Sequence, residues 1–421
     1  MKRVNIFFTA ALMLPCIASA GFADREKGFK VGERMTIRPY VSLSITYDSN
    51  VDQQKDANDG SAWIINPGVG IEYLAENWKV EGSVWYDYHA YNEYSTQLDT
   101  SSYGERLNIQ WANSANNEPG WSLIIRESYQ QISQDDDMTN HGGRGIGRDR
   151  KQFTFDAALE RRITERFHGN INTSYYLLDY DNDINKYAAL YGWKRLVTGA
   201  EMGYAMSRWL DFILAANYQW YWQDNDFDRT NPDFITGSRR GRTVRSDSRG
   251  WSVMGGVATR ATERIDYRVL AGWSRFEYGE GTSEIDGWTY QVSGRYKIDD
   301  NIQLMLLGSS YYQPSEREFG RAIKVYTASM GLAKSFVRGK VTGTLDLAFR
   351  KEANEYTEYE QDNYDEDIWT ARVGLNYNIN RFVSLFGRVE FQTEDSRGRY
   401  IRNNSYDYDR WRATLGLRLT Y

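Results

Sequence analysis

Trp411-Arg412-Ala413-Thr414-Leu415-Gly416-Leu417-Arg418-Leu419-Thr420-Tyr421 is the last stretch of the chain. Side chains of an extended backbone point alternately to its two faces. Trp411, Ala413, Leu415, Leu417, Leu419 and Tyr421 therefore share one face, and Arg412, Thr414, Gly416, Arg418 and Thr420 the other. One face is wholly apolar and the other polar and charged. The pattern recurs upstream. Trp369, Ala371, Val373, Leu375 and Tyr377 oppose Arg372, Gly374, Asn376 and Asn378; Val383, Leu385, Gly387, Val389 and Phe391 oppose Ser384, Phe386, Arg388 and Glu390. Nearer the start, Val80, Gly82, Val84, Tyr86 and Tyr88 oppose Glu81, Ser83, Trp85, Asp87 and His89, and Phe153, Phe155, Ala157 and Leu159 oppose Thr154, Asp156, Ala158 and Glu160. No charge enters these apolar faces.

Bulk composition hides this. The chain has 421 residues, a formal net charge of -6 and a mean hydropathy of -0.67. A transmembrane barrel escapes a hydropathy average because only alternate residues meet lipid. One long apolar run exists, Val4 to Ala20, after Lys2-Arg3 and closing on Ala18-Ser19-Ala20. That is the form of a secretory signal peptide cleaved near Ala20. Past it, no stretch reaches the ~20 apolar residues of a spanning helix, so a membrane-spanning mature chain must be a closed barrel. Cys16 is the sole cysteine and lies within the signal; Pro15 before it argues against lipidation. Cleavage removes Lys2 and Arg3 and no acid, so the charge moves from -6 to -8. An acidic chain without a basic cluster gives no footprint for nucleic acid. The chain's 32 Tyr and 14 Trp suit strands that cross a membrane interface.

Residues 21–34 carry no periodicity and read as a short periplasmic segment; residues 35–421 read as the barrel. Alternating segments fall at 35–47, 61–74, 78–91, 102–112, 121–133, 151–162, 167–179, 189–205, 209–222, 249–260, 265–278, 285–297, 302–312, 322–336, 340–352, 367–378, 382–393 and 406–421. The connections alternate in length. Short ones include 75–77, 164–166, 206–208, 262–264, 299–301, 337–339 and 378–381; the longest are 134–150 and 223–248. Short periplasmic turns and long external loops are the rule for such barrels. An apolar residue usually follows the short turn, as at Trp78, Trp121, Phe167, Trp209, Ile265, Ile302 and Phe382, where a periplasmic girdle belongs. The expected fold is an all-β, antiparallel up-and-down transmembrane barrel of about 18 strands, the last closing on the first. Segments 302–312, with consecutive Leu304, Met305, Leu306 and Leu307, and 322–336 do not sort into two faces; either their inner faces pack on a loop folded into the lumen or their register is shifted from these bounds.

Residues 40–103 carry a further signal. Tyr47-Asp48-Ser49-Asn50-Val51 closes the first segment, Asn66-Pro67-Gly68-Val69 lies in the second, and Tyr86, Tyr88, Tyr91 and Tyr94 enrich the third. With the polar hairpins Thr164-Glu165-Arg166 and Thr262-Glu263-Arg264, this order resembles the β-barrel porin family of bacterial outer-membrane proteins associated with exopolysaccharide export clusters. The resemblance implies an outer-membrane conduit for a secreted polysaccharide, working with a periplasmic polysaccharide export protein. The terminal strand ending at Tyr421 likewise resembles the signal read by the barrel-assembly machinery. The implied location is the cell outer membrane, with lipid and lipopolysaccharide as surroundings.

A barrel of this size encloses water, and a hydrated polymer needs many weak contacts and no deep trap. The candidate lumen-facing residues are Glu81, Trp85, Asp87, Asp156, Glu160, Arg268, Arg295, Asp346, Arg372, Arg388, Glu390, Arg410, Arg412 and Arg418. Their charges would attract an acidic polymer or pair with one another to hold the barrel. Arg239, Arg240 and Arg242 are candidate loop contacts to sugar or lipopolysaccharide. The acidic loops, such as Asp135-Asp136-Asp137, are candidates for calcium, with plain solvation as the simpler reading. Catalysis is not expected. His89, His141 and His168 are the three histidines, none spaced as metal ligands, and Ser83 stands ~20 Å along the strand from His89. No cofactor is expected. The alternatives are a general or substrate-selective diffusion porin and a non-conducting structural or adhesive barrel. A TonB-type importer is disfavoured because residues 21–34 cannot form a plug, and an autotransporter because no passenger precedes the barrel.

Overall fold

The computed structural model describes residues 28–50, 59–92, 100–113, 120–132, 150–180, 193–207, 209–223, 247–259, 264–278, 283–314, 322–353, 364–398 and 407–421. The strands are β1 (Phe29–Val31), β2 (Met35–Asp48), β3 (Gly60–Leu74), β4 (Trp78–Tyr91), β5 (Thr100–Ala112), β6 (Gly120–Ile132), β7 (Arg150–Arg162), β8 (Phe167–Tyr180), β9 (Trp193–Ala205), β10 (Asp211–Gln223), β11 (Ser248–Ala258), β12 (Ile265–Tyr278), β13 (Ser283–Lys297), β14 (Ile302–Pro314), β15 (Ala322–Phe336), β16 (Val341–Ala353), β17 (Tyr364–Asn378), β18 (Val383–Gly398) and β19 (Tyr408–Thr420). From β2 to β19 each strand pairs antiparallel with the next. β19 then pairs with β2, from Arg412 opposite Asp48 to Thr420 opposite Tyr40. The result is a closed antiparallel barrel of 18 strands. Pairing of the last strand with the first removes the edges that an open sheet would leave at β2 and β19 and satisfies their backbone without water.

Directly paired residues point the same way, so the register carries the facing from strand to strand. Leu415 of β19 stands between Gly387 and Ile45, and Leu415 is 64% exposed. Val373 of β17 stands between Leu345 and Val389, and 56% of its surface is open. Trp63, Val84, Ile171, Leu214 and Trp288 are likewise exposed on the outer wall. Such a surface is stable against lipid and costly against water. Aromatic rings bound the apolar belt at its lower rim. Trp78 meets Trp111 at 6.0 Å, and Tyr421 lies between Phe29 at 4.1 Å and Phe382 at 5.8 Å. Phe29 is placed there by β1, which pairs with the start of β2; part of the unpatterned 21–34 segment is thus a short strand. On β5 and β6 the outward Glu105 and Glu127 interrupt the belt.

The register departs from a plain barrel at one seam. β13 and β14 pair only from Gln291 opposite Ser309 to Lys297 opposite Gln303. Above Ser309, β14 leaves the wall and leans into the lumen. The Ser310 carbonyl accepts from Thr289 Oγ1 at 2.6 Å, and the Tyr312 carbonyl accepts from Gln219 Nε2 of β10 at 3.3 Å. Tyr312 packs with Leu178, Trp193, Tyr221, Phe276 and Ile285, side chains from the inner faces of five other strands. Gly287 makes the approach possible, since a Cβ there would lie 2.6 Å from the Tyr312 hydroxyl. β15 stays paired with β14 to Pro314 opposite Ala322 and follows it inward, burying Ile323 and Val325. This explains why segments 302–312 and 322–336 resist sorting: their upper ends have inner wall, not lipid, on one face.

Candidate functional site

The lumen wall has two unlike sides. Across β16, β17, β18, β19 and β2 the register sets Asp346, Arg372, Glu390, Arg412 and Asp48 in one rung, each directly opposite the next. Charges alternate along the rung, the arrangement that favours cross-strand pairs by about 0.2–1 kcal/mol each. Arg372 is bonded to Glu390, and Arg412 Nε lies 3.3 Å from Asp48. Arg410, one turn of the pleat above, is 2% exposed and donates from Nε to both Asp48 oxygens at 2.9 Å. Asp48 also accepts from the Asn50 backbone N–H at 3.1 Å. This cluster straddles the β19–β2 closure. Arg388 faces Gly374 and Thr414 in the next rung, and the Arg418 guanidinium lies 5.4 Å from the Tyr40 ring centre.

The remaining sequence candidates lie round the same inner wall. Glu81 accepts from Asn108 at 2.9 Å and pairs with Lys79 at 2.6 Å. Trp85 stacks under Arg106 at 5.1 Å, and Asp87 is bonded to Asn66. Asp156 stands opposite Arg126 and Ser174; Glu160 stands opposite Ser122 and Asn170. Arg295 bonds Asp266 at 2.9 Å. Arg268 of β12 reaches over two intervening strands to Glu201 of β9, donating from Nη1 at 2.8 Å. That pair spans the wall where Ile213, Ala215, Met254 and Leu270 form a buried apolar cluster, with Leu270 at 0% exposure. Arg239, Arg240 and Arg242, the acidic loop Asp135-Asp136-Asp137, His141 and the signal region lie outside the described residues.

The opposite side, from β8 to β14, is aromatic. Tyr176 of β8, Arg195 of β9, Tyr221 of β10 and Ser248 of β11 form a second rung, again directly paired. Trp193 sits above it, 4.5 Å from Tyr176 and 6.0 Å from Tyr221. Phe276 meets Tyr221 edge-on at 5.7 Å. The inward tip of β14 closes over this patch. Arg195, Trp193 and Tyr221 were not singled out from sequence, whereas Tyr176 reads as inward by alternation; simple alternation through 189–205 also puts Trp193 and Arg195 on the inner face. The partners Asp48, Glu201 and Asp266 were missed for a different reason: strand pairing brings them in from distant sequence.

A family model described as "Putative MetA-pathway of phenol degradation" matches residues 37–196, well under half of the chain. No curated protein matches the sequence. Among solved structures, the outer membrane protein OpdK from Pseudomonas aeruginosa is similar at TM-score 0.42 and 13% identity, covering 91% of this chain and 99% of that one. The FrpB iron transporter from Neisseria meningitidis gives TM-score 0.47 and 8% identity over 93% and 82% of the two chains. The ferric-catecholate import receptor Fiu from E. coli K12 gives 0.41 and 8%, over 94% and 82%. At these values the likeness says nothing of what this chain carries. The chain is a closed antiparallel β-barrel. Its closed register and lipid-compatible outer wall are those of a barrel that crosses a membrane, and its inner wall encloses a polar lumen with an aromatic mouth.

Proposed function

We propose that the barrel is a passive, non-catalytic conduit for a hydrated saccharide, with a secreted exopolysaccharide as its cargo and a periplasmic polysaccharide export protein as its partner. The observation that supports this reading is the division of the wall. On the β16–β2 side Arg372 is paired with Glu390, and Arg410 and Arg412 with Asp48, so these charges offer hydrogen bonds without a deep ionic trap. The β8–β14 side offers tyrosine and tryptophan faces, which suit the apolar C–H faces of sugar rings. Residue resemblance in 40–103 points the same way. The inward β14–β15 tip favours a second reading, a substrate-selective diffusion porin for small solutes, because an extended polymer needs that tip displaced. Efflux from proteoliposomes separates the two. Release of oligosaccharides of ten or more units supports the polymer conduit; release of mono- and disaccharides alone supports the porin.

A further inference from the structure

The aromatic rung holds more than stacking surface. Trp193 Nε1, Arg195 Nε, Tyr221 Oη, Ser248 Oγ and Tyr311 Oη are all buried with no partner in standard hydrogen-bond geometry, although the Arg195 and Tyr221 side chains lie close enough to interact with each other. Four of them lie on three neighbouring strands. Arg195 is directly opposite Tyr221, Tyr221 directly opposite Ser248, and Trp193 is one inward position above Arg195. Tyr311 arrives from the far side on the inward end of β14, within electrostatic reach of Arg195 and Tyr221. Arg195 is 8% exposed, Trp193 8% and Tyr221 2%. The electrostatic neighbours of Arg195 are the phenols of Tyr221, Tyr311 and Tyr176, and its guanidinium lies 5.9 Å from the Tyr221 ring centre.

Buried polar groups are nearly always satisfied, and a buried cation without an anion is costly. Every atom in this set is a donor or able to donate, and arginine is the residue suited to forked binding of a carboxylate. The walls around them are rings. We infer that this cluster is a subsite for a carboxylate-bearing ring, the carboxylate on Arg195, Tyr221 and Tyr311 and the ring against Tyr176 and Trp193. A uronic acid unit of a polymer and a free small ring acid share this chemistry. The subsite stands independently of the export reading, since either a polymer or a small solute can occupy it.

Calorimetric titration of the full-length barrel in detergent micelles tests it, with glucuronate, a glucuronate oligomer and glucose as probes. Glucuronate is expected to bind saturably and about tenfold or more tighter than glucose, because a charge-assisted bond replaces a neutral one. Arg195→Gln is expected to bring glucuronate down to the level of glucose while glucose binding is unchanged. Tyr311→Phe, which keeps the ring and removes one hydroxyl, gives a milder loss and serves if Arg195→Gln fails to fold by heat-modifiable mobility. An oligomer that binds tighter than the monomer identifies a polymer unit as the source; equal binding identifies a free acid. The inference is overturned if glucuronate shows no saturable binding, or binds like glucose, or is unaffected by both variants; the orphan donors then hold only water.

Discussion

Val373 provides a sharp test of the barrel register. It lies on the outer face of β17, four residues from Trp369 above and four from Tyr377 below. At ~3.3 Å per residue each ring is ~13 Å away along the strand, so Val373 lies near the middle of the apolar belt. An arginine at the bilayer midplane costs about 2–4 kcal/mol, falling to about 0–1 kcal/mol at the interface. Val373→Arg should therefore destabilise the barrel by about 3 kcal/mol. Tyr377→Arg, at the lower rim, should cost about 1 kcal/mol or less. Asn376→Arg faces the lumen between Thr342 and Phe386 and should also cost little. The natural sequence makes the same point, since Arg372 adjoins Val373 on the opposite face. Reversible guanidinium titration of folding into phospholipid vesicles, followed by tryptophan fluorescence, measures all three. A flat profile, or a larger cost at Asn376 than at Val373, would refute the assignment of faces.

Asp48→Asn leaves Arg410 buried without its carboxylate and should cost about 3–5 kcal/mol, read as a drop in the temperature at which heat-modifiable mobility is lost. Asp48→Leu with Arg410→Met removes both charges and should recover much of that loss. Gly287→Ala places a methyl against the Tyr312 hydroxyl and should displace the β14 tip, raising single-channel conductance in planar bilayers; Tyr312→Ala should act in the same direction. Tyr421→Ala removes the ring held between Phe29 and Phe382 and should lower the folded fraction recovered from outer membranes.

Much of the architecture is legible in sequence because a barrel strand has only two faces. The alternation in 369–377, 383–391 and 411–421 gives the correct outer faces of β17, β18 and β19, and short turns fix where neighbouring strands meet. Arg372, Arg388, Glu390 and Arg412 could thus be placed in the lumen from sequence alone. Their assembly into a rung with Asp346 and Asp48 could not, because register across five strands depends on shear, which alternation does not encode. The seam above Ser309 was visible only as a failure to sort. Consecutive Leu304 to Leu307 obscure the two-residue period, and only the register shows that the end of β14 has turned onto the inner wall. The outward Glu105 and Glu127 run against the pattern, and nothing among the described residues explains them.

The most direct measurement of the central claim is the location of polysaccharide in cells lacking this protein. The account predicts that deletion leaves the polymer in the periplasm and little outside, and that restoring the intact barrel returns it to the medium. Secretion at the normal level in the deletion strain would contradict it.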